Sequence, residues 1–378
     1  VDILERLVGF PSVSRMPNGE IVAYVRDYLA GFGLEVNLLP GPEGDRTNLF
    51  ASIGPRERAG YILSAHLDVV PAPPEGWGGD PFVLRRTGDR LVGRGAVDMK
   101  GFVACVLAAV PAFLSRPLAQ PIHLAFSYDE EVGCVGVRHL IPHLKRLCAP
   151  PLGCLVGEPT GMQPVLRHKG KAAARVTVRG RAGHSSRPDL AENAIHPAAE
   201  LILAVRDEAS RLAHEGPFDA RFEPAYSTLQ VGTVRGGIAL NVVPDSCVFE
   251  VDARAIPGCD PASMLEPLRQ RLAALRAQAT QAHRDLDAAL EILAQYPALD
   301  LADDHPLAAL SEEISGQRRK NAVSFGTEAG LYQAAGIPSI VCGPGDIARA
   351  HTIDEYIRLD ELAGCERALA ALAARLHA

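Results

Sequence analysis

The chain has 378 residues, 47% hydrophobic and 22% charged, with a formal net charge of −7. That length suggests two domains of ordinary globular composition, and the mild acidic excess, with both signs interspersed, excludes the basic face that a nucleic-acid backbone requires. No apolar run approaches the roughly 18 residues needed to span a bilayer, so neither nucleic acid nor a membrane is expected as a partner.

The N-terminal stretch VDILERLVGF lacks a charged segment followed by a long apolar one, the pattern of a secretory leader. The eight cysteines, at 105, 134, 148, 154, 247, 259, 342 and 365, include no C-x-x-C pair, in a chain too large to need stapling. They read as reduced core thiols, and a cytoplasmic location is the expectation.

In chain order, ILERLVGF and EIVAYVRDYLAGFG carry apolar residues at helical spacing. YILSAH, IHLAFSY and GCLVGEP are short apolar runs that stop at Gly, Pro or an acid, and GFVACVLAAVPAFL reads as a buried helix between two of them. This alternation predicts an α/β catalytic domain, its first part over residues 1–171, with a mixed, mostly parallel sheet flanked by helices. From 172 the pattern changes. AAARVTVRG, YSTLQVGTV, SCVFEVDARA and LDAALEILAQY read as strands, while ENAIHPAAELILAVRDEASRLA and PASMLEPLRQRLAALRAQA read as helices, the second opening on Pro. This β-α-β-β-α-β order predicts an inserted α+β, ferredoxin-like unit over 172–296. HPLAALSEEIS, GIPSIVCGPG and LDELAGCERALAALAARL then return to the first style and make residues 297–378 the second part of the catalytic domain.

Ligands of a parallel α/β sheet sit at the carboxyl ends of its strands. YILSAHLDVVP ends in His66 and Asp68, IHLAFSYDEE in Glu130 and Glu131, and GCLVGEPT in Glu158; Asp98 precedes the buried helix and His351 follows the last strand. Imidazole and carboxylate without thiolate suit zinc and, less well, manganese or cobalt. If Asp98 bridges, His66, Asp98 and Glu158 can hold one ion while Asp98, Glu131 and His351 hold a second, each with an open position. Asp68 can accept a hydrogen bond from the other ring nitrogen of His66 and fix its tautomer. Taken singly, each residue has a plainer explanation: a satisfied histidine, a Glu-Glu pair opening a solvated loop, an aspartate capping a helix. Their convergence from several strand ends favours a metal site.

Other chemistries find little support. Gly343–Ala348 fits a loose G-x-G-x-x-A, but its Pro and the His351 loop speak against a nucleotide site. There is no G-x-S-x-G elbow, so Ser185 and Ser186 read as loop residues.

The motifs AHLDVVP, GWGGDPF, LVGRGAVDMKG, SYDEEVGCVG, GEPTG, GRAGHSSRP, NVVPD, DARAIPG and SFGTEAG follow one another along essentially the whole chain. In this the sequence resembles the di-zinc amidohydrolases and exopeptidases, a family that includes acetylornithine deacetylases, succinyl-diaminopimelate desuccinylases and aminoacylases. The resemblance implies a zinc exopeptidase-like catalytic domain with a mobile lid, and a homodimer formed through that lid. It implies two zinc ions, replaceable by cobalt or manganese, on His66, Asp98, Glu131, Glu158 and His351, with Glu130 as general acid/base. His184 resembles the lid histidine that polarises the scissile carbonyl, and Asn241 and Arg254 resemble lid residues that hold a substrate carboxylate. DMKGF, SYDEEVG and SFGTEAG lie nearest the acetylornithine-cleaving branch, which makes N2-acetyl-L-ornithine the expected substrate and Glu328 a candidate for its side-chain ammonium; a structural Glu328 is the equal alternative. The remaining alternatives are another N-acyl-amino-acid hydrolase or dipeptidase on the same metals, and a non-catalytic member of the fold.

Overall fold

The computed structural model describes residues 1–378, which divide into two compact units. The first comprises residues 1–167, 299–322 and 327–378; the second comprises residues 168–298 and 323–326.

The first unit is built on a six-stranded sheet whose order is Val36–Pro40, Thr47–Ile53, Ile122–Ser127, Tyr61–His66, Gly153–Pro159 and Ser339–Gly343. The last four strands are mutually parallel, and the first two add an antiparallel edge. The sheet is therefore mixed and mostly parallel, as the alternating pattern predicts. Strands Ile122–Ser127 and Gly153–Pro159 are buried along their whole length, which explains why both read as continuous apolar runs rather than alternating ones. Helices Asp2–Val8 and Leu359–Leu376 pack on the helix Gly101–Leu114, and the core runs from Leu4 and Leu7 through Val103, Val106 and Val110 to Leu369 and Leu372.

Ala96–Leu114 is 19 residues long with a mean hydropathy of 1.8, enough by length and composition to cross a membrane. Its apolarity has another cause: 78% of the window is buried, so most of the segment is apolar because it packs inside the protein, leaving only a strip at Ala108, Pro111 and Leu114 exposed.

The second unit is a four-stranded antiparallel sheet in the order Thr228–Gly236, Ser246–Ala255, Gly170–Arg179, Asp287–Tyr296. Helices Ile195–Glu215 and Glu266–Gln281 pack on it and on each other. Burial alternates strictly along Gly170–Arg179 and Ser246–Ala255, the signature of a sheet covered on one face. Its core is separate, formed by Val176, Val178, Leu201, Phe249, Val251, Leu268 and their neighbours. None of the eight cysteines is in a disulfide.

Candidate metal centre

Seven of the eleven residues singled out in the sequence meet at one end of the first unit's sheet. His66 is the last residue of its strand, Glu158 is next to last in its own, and Glu130 and Glu131 follow Ser127 by three and four positions. Each comes from a neighbouring parallel strand, so the sheet's register sets their spacing. Asp98 enters from the turn before the buried helix, where Asp98 and Met99 leave helical geometry (φ −123° and −132°) and the peptide bond between them is cis. His351 arrives from the loop after Ser339–Gly343, with φ at 59°.

Asp98 lies at the middle of the cluster. Its Oδ1 is 3.1 Å from His66 Nε2, and His66 Nε2 is 3.6 Å from Glu158 Oε1. Its Oδ2 is 3.1 Å from His351 Nε2, which is 3.0 Å from Glu131 Oε1. The two carboxylate oxygens thus face two separate sets of donors. Two overlapping groups, His66 with Glu130 and Glu158, and His66 with Asp98 and Glu131, each bring their ligand atoms within 4.8 Å of one another.

Asp68 organises this end of the sheet. The His66 Nδ1–H donates to the Asp68 carbonyl oxygen at 2.8 Å, with the carboxylate Oδ1 farther away at 3.5 Å. Because a carbonyl only accepts, this contact fixes a proton on Nδ1 and turns Nε2 to the acids. Against burial, the Asp68, Asp98 and Glu158 carboxylates raise His66 well above its usual value. In the ion-free protein Nε2 is therefore protonated too and donates to Asp98, and it is this proton that a bound ion would replace. The Asp68 carboxylate instead accepts from Glu130 N at 3.0 Å, Glu131 N at 3.3 Å and Ser14 Oγ at 2.7 Å. It therefore holds the acidic turn as well as the histidine. Asp129 completes that turn from the other side, accepting from Arg15 N at 2.6 Å and from the Arg46 guanidinium.

The electrostatics are those of a site short of positive charge. His66, Asp68, Asp98, Glu130 and Glu158 are all at most 9% exposed. Burial raises the Glu130 carboxyl to about 8, and the Glu131, Glu328 and Asp68 carboxylates push it the same way against His66. Burial and Asp98 raise Glu131 to about 7, and burial together with Asp98 lifts Glu158 well above the usual carboxylate range. His351 is raised to about 10 by its bonds to Asp98 and Glu131. Burial would raise Asp98 too, but the bonds from His351 and His66 outweigh it and hold that carboxyl low. Acids that keep protons near neutrality because they crowd in a buried place are what a divalent ion relieves, by replacing those protons with fixed positive charge. With two imidazoles, three carboxylates and no thiolate among the convergent donors, the set fits a hard-to-borderline divalent cation.

Glu328 lies behind the cluster. It is 1% exposed, its carboxylate accepts from Ser127 Oγ and, at 3.3 Å, from Ser64 Oγ, and burial raises it to about 7. The other three candidates are in the second unit. His184 is exposed, and its Nδ1 accepts from Ser186 N at 3.2 Å, so its remaining proton sits on Nε2, available to a carbonyl oxygen. Asn241 is bonded through its backbone carbonyl to Ser185 N at 3.1 Å, beside His184. Arg254 Nε donates to Asp252 at 2.9 Å.

Two residues of this site have no signal in the sequence. Cys134, read only as a core thiol, donates through Sγ to Glu130 Oε1 at 3.3 Å. Glu355, in HTIDEY, is 1% exposed and accepts from the backbone of the Asp98 turn. Only spatial placement distinguishes them from other cysteines and acids.

Known proteins resemble the chain along nearly its whole length. A curated acetylornithine deacetylase of Myxococcus xanthus is 34% identical over 376 residues, covering 97% of this chain and 94% of the relative. Among solved structures, the M20 family metallo-carboxypeptidase Sso-CP2 of Sulfolobus solfataricus superposes with a TM-score of 0.79 at 18% identity, covering 98% of this chain and 97% of that one. Human carnosine dipeptidase 1 superposes with a TM-score of 0.76 at 18% identity, covering 99% and 96%. Both support the fold alone. The sequence profile of peptidase family M20/M25/M40 matches residues 62–375, a span that includes every donor of the cluster, and the chain belongs to that family as a metal-dependent hydrolase.

Proposed function

We propose that this protein hydrolyses N2-acetyl-L-ornithine to acetate and L-ornithine, using two divalent ions, zinc by preference, held by His66, Asp98, Glu131, Glu158 and His351. The observation that supports the two-ion reading most is the split presentation of Asp98, one oxygen toward His66 and the other toward His351. The substrate assignment rests on the 34% identical deacetylase, which this chain matches over 97% of its length.

Bound divalent ions supply Lewis acidity, making a coordinated water more acidic and polarising a carbonyl oxygen. The chain's own residues do the rest. Glu130 takes the proton of the attacking water and delivers it to the leaving α-amine, so that amide and water become carboxylate and amine. Its turn is fixed by the bond from Glu130 N to Asp68, and its Oε1 by the Cys134 thiol. His184, with its proton on Nε2, donates to the oxygen that gains charge. Asn241 and Arg254 bind the substrate carboxylate. Glu328, buried behind Ser64 and Ser127, acts on the substrate ammonium through its field.

The second unit is proposed to form a homodimer. Thr228–Gly236 is an edge strand, and Val234, Ile238 and Leu240 on and beyond it are 59%, 89% and 101% exposed, an apolar run that a second copy would cover. On this reading the reaction belongs to arginine synthesis, with the cytoplasm as its proposed location. The deciding experiment compares hydrolysis of N2-acetylornithine with N-acetylmethionine, succinyl-diaminopimelate and dipeptides, with and without chelator. Chelator-sensitive ornithine release as the preferred reaction is expected; preference for another substrate would overturn the assignment.

A further inference from the structure

We propose that Glu355 is a positioning residue for the metal pair: it sets the bridging Asp98 and ties it to the His351 loop, so that uptake of the second ion depends on a side chain that touches neither ion. The inference rests on the two-ion reading above.

The turn that carries Asp98 has no regular hydrogen-bond ladder. Gly95 is left-handed at φ 79°, and Asp98 and Met99 are non-helical, yet residues 93–100 are all buried. Ala96 N and Lys100 N find the Gly93 and Gly95 carbonyls within the turn, and Arg94 N finds Pro81, but the N–H groups of Gly93, Gly95, Val97 and Asp98 need acceptors from elsewhere, and Glu355 supplies them. Its Oε1 accepts from Val97 N at 2.9 Å and Asp98 N at 3.1 Å. Its Oε2 accepts from Gly95 N at 3.0 Å and Arg94 Nη1 at 2.7 Å. Its backbone carbonyl accepts from Gly93 N at 2.9 Å. From the other side the turn is pinned by Lys100, whose Nζ donates to the Leu7 and Phe10 carbonyls at 3.0 and 2.8 Å.

A closed circuit follows. Glu355 holds the Asp98 backbone, the Asp98 carboxylate meets His351, and His351 stands four residues before Glu355 in the same loop. The two donors that approach the second ion from outside the sheet's strands therefore share one anchor. Gly95 leaves this turn little room to shift, since a Cβ there would lie 2.6 Å from Val69 Cγ1. Groups that orient ligands from behind commonly change metal affinity 10- to 100-fold when altered.

The competing account is that Glu355 serves only as the partner of buried Arg94, which is 4% exposed. Glu355→Gln and Arg94→Met separate the two. The first replaces one oxygen with an NH2 that cannot accept from the turn's N–H groups; the second removes the ion pair and leaves every backbone acceptor in place. The test strips the full chain with chelator, titrates it with Zn2+ against a chromophoric competitor, and records the visible absorption of the Co2+-loaded proteins.

Wild type is expected to take two equivalents, E355Q to bind the second about 10- to 100-fold more weakly with an altered Co2+ spectrum, and R94M to match wild type in both. An E355Q titration identical to wild type, or an equal loss in R94M, overturns the role of Glu355. Should E355Q not fold, Glu355→Asp, which keeps the charge one methylene short, is expected to show the same selective weakening, and an unchanged titration of it overturns the proposal. Wild type taking up fewer than two equivalents would instead sink the two-ion reading itself.

Discussion

Glu130 and Glu131 are chain neighbours with different surroundings, and the difference supports separate proposed jobs. Glu131 faces His351 and Asp98 within the donor set, whereas Glu130 is held by the Cys134 thiol and the Asp68 carboxylate. Glu130→Gln is expected to retain both zinc equivalents while kcat falls about 100- to 10,000-fold; Glu131→Ala is expected to lose affinity for zinc as well, read by titration of the stripped protein. Protonation gives a second residue-scale prediction. In the ion-free protein Glu130 and Glu131 titrate at about 8 and about 7 instead of 4.5, and His351 at about 10 instead of 6.5. All three bind protons more tightly folded than unfolded. Their contribution to stability is complete below the unfolded values and fades as pH rises through the folded ones. Stripped protein should therefore lose Tm between about pH 5 and pH 10, the carboxyls acting up to about pH 8 and His351 above it, and zinc, which displaces those protons, should raise Tm more at pH 8 than at pH 6. Equal zinc shifts at the two pH values would contradict this. Of the proposed donors, His66, Glu131 and Glu158 were legible in the sequence as polar residues at or just past the ends of apolar strands, and Asp98 and His351 as loop residues beside a buried helix and a strand. Asp129 was not, since its partners Arg15 and Arg46 lie 114 and 83 positions away.

At the level of elements, two glycines allow the strands to deliver their donors. A Cβ on Gly157 would lie 2.0 Å from Phe102 Cδ1 in the buried helix, and one on Gly343 would lie 1.9 Å from the Gly157 carbonyl oxygen. Strands Gly153–Pro159 and Ser339–Gly343 meet there backbone to backbone, with the Phe102 ring of helix Gly101–Leu114 laid against Gly157, one residue before Glu158. Gly157→Ala is expected to cost about 1–3 kcal/mol from overpacking, measured by urea unfolding of stripped protein, and to lower zinc affinity because Glu158 moves with its strand. Unchanged stability would show that the helix yields at no cost. The strong patterns in the sequence mark the elements well: GFVACVLAAVPAFL coincides with helix Gly101–Leu114. The antiparallel edge Val36–Pro40 and Thr47–Ile53 gives no such signal, since the first strand is mostly half-exposed or exposed and ends in Pro40. Hydropathy alone cannot separate a helix wrapped in protein from one wrapped in lipid, which is why Ala96–Leu114 reaches membrane-spanning length while serving as a core element.

Across the whole molecule, the candidate residues divide between units with separate cores. Every proposed metal donor belongs to the first, and His184, Asn241 and Arg254 to the second. His184→Ala is accordingly expected to leave zinc titration unchanged and to lower kcat about 100- to 1,000-fold, as loss of an oxyanion donor does elsewhere; weakened zinc binding would contradict that division. Ile238→Asp with Leu240→Asp is expected to convert a dimer into a monomer by sedimentation velocity. The change of pattern near residue 172 made the two-part organisation legible, but the return of residues 323–326 to the second unit depends on contacts between distant segments that no local pattern records. The interrupted chain also fixes an order of events during synthesis, which runs from the N-terminus. His66, Asp98 and Glu158 all emerge before the inserted unit, and His351 only after it. A nascent chain stopped short of Ser339 thus carries the three donors proposed for one ion, His66, Asp98 and Glu158, without the proposed His351 partner of the second, and an apolar strand, Gly153–Pro159, still lacking the neighbour that will cover its edge. On the proposed two-ion reading such a chain would be a one-ion protein with an adhesive flank, and would stay so until the ribosome has made nearly all of the molecule.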